Sequence, residues 1–157
     1  MAGRYSIQCL LRLFASSLKI RHVKIDRLYS NRYHYLPIPD AIGLNNLSSL
    51  KFGIADCVKY EDLTLLLSLA PVLKTLYISN LDERIHAKYF NADVWEHLIT
   101  SLKELKYFTL ILNSYDKAIL ELKKMFDERD FWRSKRNSFQ TDIRYHLLEY
   151  FDHYEYD

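Results

Sequence analysis

The sequence predicts an α/β fold in which short parallel strands and helices alternate and repeat along the chain as a solenoid. Residues 95–113 first show apolar side chains at helical spacing and then alternate as a half-buried strand does. The strand half of this unit recurs along the chain, and helical stripes precede several of its copies. A unit of one helix and one strand, used repeatedly, is the simplest arrangement that explains these observations.

The strand pattern consists of an apolar residue, two variable residues, an apolar residue, one variable residue and a third apolar residue. Its first positions, residues 20, 47, 73 and 105, lie 27, 26 and 32 residues apart, and the longer third step predicts an insertion at residues 82–94. Strands are therefore predicted near residues 21–26, 48–53, 74–79 and 106–112. The pattern residues are Ile20, Val23, Ile25; Leu47, Leu50, Phe52; Leu73, Leu76, Ile78; and Leu105, Phe108, Leu110.

Amphipathic stripes predict helices before the first, third and fourth strands. Their apolar residues are Ile7, Leu10, Leu11, Phe14; Leu63, Leu66, Leu67, Ala70; and Trp95, Leu98, Ile99, Leu102. The stretch at residues 29–46 contains Pro37 and Pro39, which oppose helix formation, and it is predicted to be a loop with at most one turn. A further stripe from Tyr115 to Phe126 predicts a helix after the fourth strand, with Ser114 able to cap it.

The length of 157 residues suits a single domain, residues 1–157, of about four to five repeats. Residues 114–145 are expected to form a C-terminal cap that ends in a short strand, and residues 146–157 a flexible tail. One strand with one helix cannot bury its own apolar face, so stacked neighbours do it for each other, with strands on the concave side and helices on the convex side. A non-repetitive α/β domain remains the alternative.

Three segments carry a resemblance to a known family: "LSSLKFGIADC", "LKTLYISNL" and "LKYFTLILN". They resemble the cysteine-type repeats of leucine-rich-repeat proteins, over about residues 18–145. The segment "FWRSKRNSFQTDI" is similar to the C-terminal end of F-box/leucine-rich-repeat-like proteins, although no F-box pattern is visible. The resemblance implies a protein-binding role on the concave face, with substrate recognition in a ubiquitin-ligase context as one setting.

The charge balance disfavours binding to nucleic acid by charge alone. There are 22 Lys and Arg against 20 Asp and Glu, a net charge of +2. The distribution is uneven, because the first 60 residues hold nine basic and three acidic side chains. The alternative function is therefore a nucleic-acid-associated α/β domain that uses this basic third together with Arg133, Lys135 and Arg136, which follow an aromatic pair.

Residue types typical of catalysis or metal binding are sparse. Three glycines cannot form a phosphate-binding loop, and six scattered histidines match no metal motif. Two cysteines, Cys9 and Cys57, fit no zinc spacing and suggest reduced intracellular thiols. We therefore expect no catalytic residue, no metal and no cofactor in a non-enzymatic monomer. No run approaches the ~20 apolar residues of a membrane span, so we expect a cytoplasmic or nuclear protein that does not enter membranes.

The outward-facing residues of the predicted strands form the candidate binding site. If the strands align as the repeat predicts, Lys24, Lys51, Tyr77 and Thr109 form a middle row. The flanking rows are His22, Ser49, Thr75, Tyr107 and Asp26, Gly53, Ser79, Ile111. Exposed tyrosines are favoured interface anchors, so Tyr77 and Tyr107, with Thr109 and Ile111 beside them, are predicted to anchor a protein or peptide. Lys24 and Lys51 are predicted to attract its acidic segment.

Overall fold

The computed structural model describes residues 4–16, 19–30, 44–55, 57–80 and 87–146. These residues form an α/β structure around a six-stranded, all-parallel sheet whose strand order equals the chain order. The α/β class predicted from the sequence is confirmed. The strands are β1 (Arg4–Ser6), β2 (His22–Tyr29), β3 (Ser49–Ile54), β4 (Thr75–Asn80), β5 (Tyr107–Ser114) and β6 (Phe139–Tyr145).

Helices lie in four of the five connections between successive strands, as parallel neighbours require, and the connection from β2 to β3 falls mostly outside the described residues. They are α1 (Ile7–Ser16), α2 (Tyr60–Ser68), α3 (Ala92–Ser101), α4 (Ala118–Glu128) and the short α5 (Asp130–Ser134), with a 3₁₀ helix at Ala87–Phe90. The predicted apolar stripes lie largely on these helices, but Ala70, Leu102 and Tyr115 fall outside them. Most of the predicted loop at residues 29–46, the first part of the predicted insertion and nearly all of the predicted tail lie outside the described residues.

The strand register follows the apolar pattern of the sequence. Val23, Leu50, Leu76 and Phe108 are successive partners across β2, β3, β4 and β5. These side chains point inward and are at most 6% exposed. They join the buried residues of the helices in a single hydrophobic core. A shift of one residue would have turned each strand's apolar set outward, so this burial fixes the register.

Three details differ from the sequence predictions. A short first strand, β1, pairs with β2 and adds a sixth strand to the four or five expected. The register shifts between Ile25 and Leu28, so Asp26 is not paired with Gly53. Ser114 does not cap α4, because it is the last residue of β5. Its hydroxyl accepts the Asp116 amide at 3.0 Å, and the Asp116 carboxylate accepts the Ala118 amide at 2.9 Å, where α4 begins.

A chain of aromatic rings runs through the core between the sheet and the helices. Tyr89 lies against Trp95 at a centroid distance of 5.7 Å, and Trp95 lies against Phe108 at 6.2 Å. The Trp95 indole N–H donates to the Tyr89 carbonyl at 2.9 Å, and the Tyr89 hydroxyl donates to the Val58 carbonyl at 3.2 Å. The rings therefore bury their area and satisfy these donors, which fixes the 3₁₀ helix against α3.

The buried Tyr89 hydroxyl makes stability sensitive to alkaline pH. Desolvation raises the pKa of Tyr89 above its ordinary value of 10.0, and the nearby acids Asp62 and Glu61 raise it further. Because the unfolded chain ionises first, the contribution is fully present below about pH 10 and is lost as pH rises toward the folded-state pKa. We expect Tyr89→Phe to flatten the fall of unfolding free energy measured by urea titration between about pH 10 and 12. In the control variant Tyr29→Phe, which alters an exposed tyrosine, the unfolding free energy should fall with pH as steeply as in the wild type. An equally steep fall in Tyr89→Phe would contradict this assignment.

Candidate functional site

The outer face of the sheet carries the six residues predicted as a binding site. We define the outer face as the outward-pointing residues of β2 to β6. Its middle row consists of paired neighbours, namely Lys24, Lys51, Tyr77, Thr109 and Gln140. Adjacent strands lie about 4.8 Å apart, so Lys24 and Thr109 are separated by about 14 Å. Residues distant in the sequence are thus brought onto one continuous surface.

The β2 and β3 end of the outer face is basic. Lys24 and Lys51 are both exposed. The Lys51 ammonium lies over the Tyr77 ring, 3.8 Å from its centroid. A cation placed over a ring at an exposed site gains about 0.5–1 kcal/mol, which is enough to favour this placement without neutralising the charge. Neither lysine has an ion-pair partner among the described residues. This end therefore has a net positive charge beside an aromatic ring, since Lys24 and Lys51 outnumber the exposed Asp26.

Strand β5 supplies the more apolar part of the outer face. Tyr107 is 59% exposed, the largest exposure among the exposed large hydrophobic side chains. It pairs with Thr75 of β4, and Ile111 pairs with Ser79. Thr109 and Ile111 are half-buried. Tyr107 and Ile111 therefore lie on either side of the middle row, where they extend the apolar area that Tyr77 begins.

The far end of the outer face, on β6, is neutralised internally. The Arg144 guanidinium donates to both carboxylate oxygens of Asp142, at 3.0 and 2.5 Å. This contact holds the pKa of the Asp142 carboxyl below its ordinary value, and it raises the pKa of Arg144. The outer face therefore changes from net positive at β2 and β3 to neutral at β6.

A buried asparagine links β4 to β5 at the carboxyl end of the sheet. Asn80 is 6% exposed. Its side-chain amide donates to the Asn113 carbonyl at 2.5 Å, and its side-chain oxygen accepts the Asn113 amide at 2.7 Å. The sequence pattern did not predict this role. Its position in the sequence could have indicated the role, because Asn80 is a polar residue at the inward position that follows Leu76 and Ile78.

The basic residues of the alternative nucleic-acid site lie beside β6, away from Lys24 and Lys51. Arg133 is 3.9 Å from Asp130, and Arg136 is 3.9 Å from Asp127. Lys135 lies near the Phe139 ring, 5.2 Å from its centroid. Trp132 is only 4% exposed and packs in the core, so its ring is not a stacking platform. The structure thus separates the two basic groups that this alternative would combine.

A second basic feature, which we call the amino-terminal rim, was not singled out from the sequence. It consists of Arg21, Lys74 and Lys106, each directly preceding a strand and each exposed. Backbone hydrogen bonds between neighbouring strands connect them. The Lys74 amide donates to the Ser48 carbonyl, and the Ser48 amide donates to the Arg21 carbonyl. The Lys106 amide donates to the Lys74 carbonyl at 2.9 Å. The sequence contained the information needed to predict this rim, since these residues are the first residues of three of the four predicted strands.

Within the segments that the structure describes, no group of three or more His, Cys, Asp or Glu side chains could hold a metal ion. None of the helices described above is long and apolar enough to cross a membrane. The outer face and the amino-terminal rim are therefore the features on which a functional argument rests.

Comparisons with known proteins identify no relative. No protein-family model matches the chain, and neither does any curated protein or any solved structure.

Proposed function

We propose that the chain is a leucine-rich-repeat solenoid that acts as a non-enzymatic protein-binding module through its outer face. Three features support the solenoid interpretation. The strands follow each other across the sheet in chain order, the inward residues align in columns, and Asn80 bonds one unit to the next. In a solenoid each unit contacts its neighbours, so the outward rows form an extended concave surface suited to binding.

The observation that carries the proposal is an all-parallel sheet whose inward residues share one hydrophobic core with the buried helix residues, while its outward residues stay outside that core. Parallel sheets in α/β proteins are normally covered on both faces, and their strands are then apolar throughout. Here the outward positions of the middle row are polar or aromatic. A surface of this kind is soluble alone and retains the aromatic area that a partner would bury.

The charges and rings of the outer face define the partner's chemistry. Lys24 and Lys51 favour an acidic segment, and Tyr77, Tyr107 and Ile111 favour apolar side chains next to it. Tyrosine is suited to this role because its ring buries a large area at low entropic cost. Substrate recognition within a ubiquitin ligase is one setting, proposed from the sequence resemblance alone.

A pair of alanine substitutions tests the proposal. Truncating interface anchors weakens binding by about 2 kcal/mol or more each. We expect Tyr77→Ala/Tyr107→Ala to lower partner recovery at least about tenfold in affinity capture with quantitative mass spectrometry. The matched control is Leu65→Ala/Leu120→Ala, which removes exposed apolar side chains from helices instead. Equal recovery with the wild type and the tyrosine variant, at both low and high salt, would refute the proposal.

The nucleic-acid alternative makes a different prediction. A labelled oligothymidine should then bind with an affinity that falls steeply with salt, and Arg133→Ala/Lys135→Ala/Arg136→Ala should weaken it. Under our proposal the oligonucleotide shows no measurable binding at physiological ionic strength.

A further inference from the structure

A groove lies between the turns that lead from α2 into β4 and from α3 into β5. Its volume is about 340 Å³, near the lower end of the range for ligand pockets, which is roughly 300–1,000 Å³. Both turns sit at the amino-terminal edge of the sheet. The groove is therefore separate from the middle row of the outer face. It is lined by Leu67, Ser68, Pro71, Ser101, Leu102 and Lys103.

The lining favours an apolar occupant. Pro71 is exposed and has only apolar side-chain atoms, whereas Leu67 and Leu102, which are also apolar, are 0% and 6% exposed. The Ser68 hydroxyl donates to the Leu65 carbonyl at 2.8 Å, and the Ser101 hydroxyl donates to the Leu98 carbonyl at 2.6 Å. Because both hydroxyl protons are used within their own helices, the groove offers few free donors to a polar group.

One lysine lines the groove, and two more lie close to its lining residues in the sequence. Lys103 lines the groove. Lys74 and Lys106 follow the two turns, at the starts of the neighbouring strands β4 and β5, which lie about 4.8 Å apart. All three side chains are exposed, and none has an ion-pair partner in the described parts of the chain. Within residues 69–74 and 102–106 the sequence has one acidic residue, Glu104. The positive charges at this edge are therefore largely uncompensated.

We propose that the groove and the amino-terminal rim together bind an acidic peptide segment of a partner protein. One apolar side chain of the peptide enters the groove, and flanking carboxylates face Lys74, Lys103 and Lys106. This inference rests on the proposed function for the class of its ligand, but it assigns a second surface. A nucleic-acid strand would use the same lysines yet leave the apolar groove without an occupant, so the combination favours a peptide.

Charge reversal tests the electrostatic part. The probe is a fluorescent peptide of two glutamates, one leucine and two glutamates, and binding to the full chain is followed by anisotropy. We expect Lys74→Glu/Lys106→Glu to weaken binding at least about tenfold, because two favourable contacts become repulsive. The matched control, Lys123→Glu/Lys124→Glu on α4, changes the net charge equally at another exposed site. Equal weakening by both variants, or by neither, would overturn the proposal.

A second variant tests the groove itself. We expect the wild type to bind the leucine peptide several-fold more tightly than the same peptide with serine, since burying one aliphatic side chain contributes about 1.5–3 kcal/mol at most. Ser101→Trp fills the groove from an exposed helix end without removing core atoms, and it should abolish that preference. Circular dichroism and a thermal melt establish that the variant is folded.

Three outcomes separate this inference from the proposed function. Equal affinity of the wild type for the leucine and serine peptides would refute the claim that the groove binds an apolar side chain. Tighter binding of oligothymidine than of either peptide would refute the ligand class. Loss of peptide binding in Tyr77→Ala but not in Lys74→Glu/Lys106→Glu would place the peptide on the outer face, which overturns this inference while leaving the proposed function intact.

Discussion

Replacing Trp95 with alanine is expected to lower the free energy of unfolding by about 3–5 kcal/mol. The indole is fully buried and touches the rings of Tyr89 and Phe108. The substitution removes these contacts, leaves a cavity between α3 and the sheet, and deprives the Tyr89 carbonyl of the indole N–H. Urea denaturation followed by circular dichroism measures the change. A domain at the lower end of the usual range of about 5–15 kcal/mol would then be close to unfolding.

Two further variants control for this result. Trp95→Phe keeps a ring in the cavity but loses the donor, so its cost should be smaller than that of alanine. Leu120→Ala removes an apolar side chain that is 48% exposed, and its effect should stay within about 0.5 kcal/mol. A cost below about 1 kcal/mol for Trp95→Ala would mean that the ring does not occupy the core.

Replacing Asn80 with alanine is expected to cost about 2–4 kcal/mol, the second-largest effect. The side-chain amide satisfies both the N–H and the carbonyl of Asn113 at the end of β5. Alanine leaves two partly buried backbone groups without these partners, and each carries a desolvation penalty of roughly 1–3 kcal/mol. The Asn113 amide should also exchange faster with deuterium in the variant, because its hydrogen bond is gone.

The control for Asn80 is an asparagine that makes no such bridge. Asn137 is exposed in the turn before β6, and Asn137→Ala should change stability by less than about 0.5 kcal/mol. Similar losses for both substitutions would show that the amide bridge between β4 and β5 contributes little.

The strand register could be predicted from the sequence because apolar side chains recur at the same offsets in each unit. Val23, Leu50, Leu76 and Phe108 each follow an apolar residue by three positions and precede one by two. Once one face must be buried, this spacing permits only one alignment. The outward row of Lys24, Lys51, Tyr77 and Thr109 followed directly from it.

Other features depend on contacts that the local sequence does not encode. Strand β1 has three residues, too few to show a period, and it forms by pairing with β2. The link from Asn80 to Asn113 requires knowing which strands are neighbours. The amino-terminal rim could have been predicted from the sequence, because Arg21, Lys74 and Lys106 are the first residues of predicted strands.

The outer face and the amino-terminal rim adjoin each other, and both carry basic residues. Lys106 and Tyr107 are consecutive residues, so the rim meets the aromatic part of the outer face at the start of β5. Charge at exposed sites is screened by salt, with a Debye length of about 8 Å at physiological ionic strength. The basic residues should therefore govern the association rate, and the buried aromatic contacts the lifetime of a complex.

The most direct test of the sheet alignment, on which the binding surface depends, is a set of proton nuclear Overhauser effects between neighbouring strands. In a parallel sheet with this register, cross-strand contacts should link Lys24 with Lys51, Lys51 with Tyr77, and Tyr77 with Thr109. Contacts in that order would establish the continuous outer face. Contacts typical of antiparallel pairing, or a register in which Lys51 and Tyr77 are not neighbours, would contradict it.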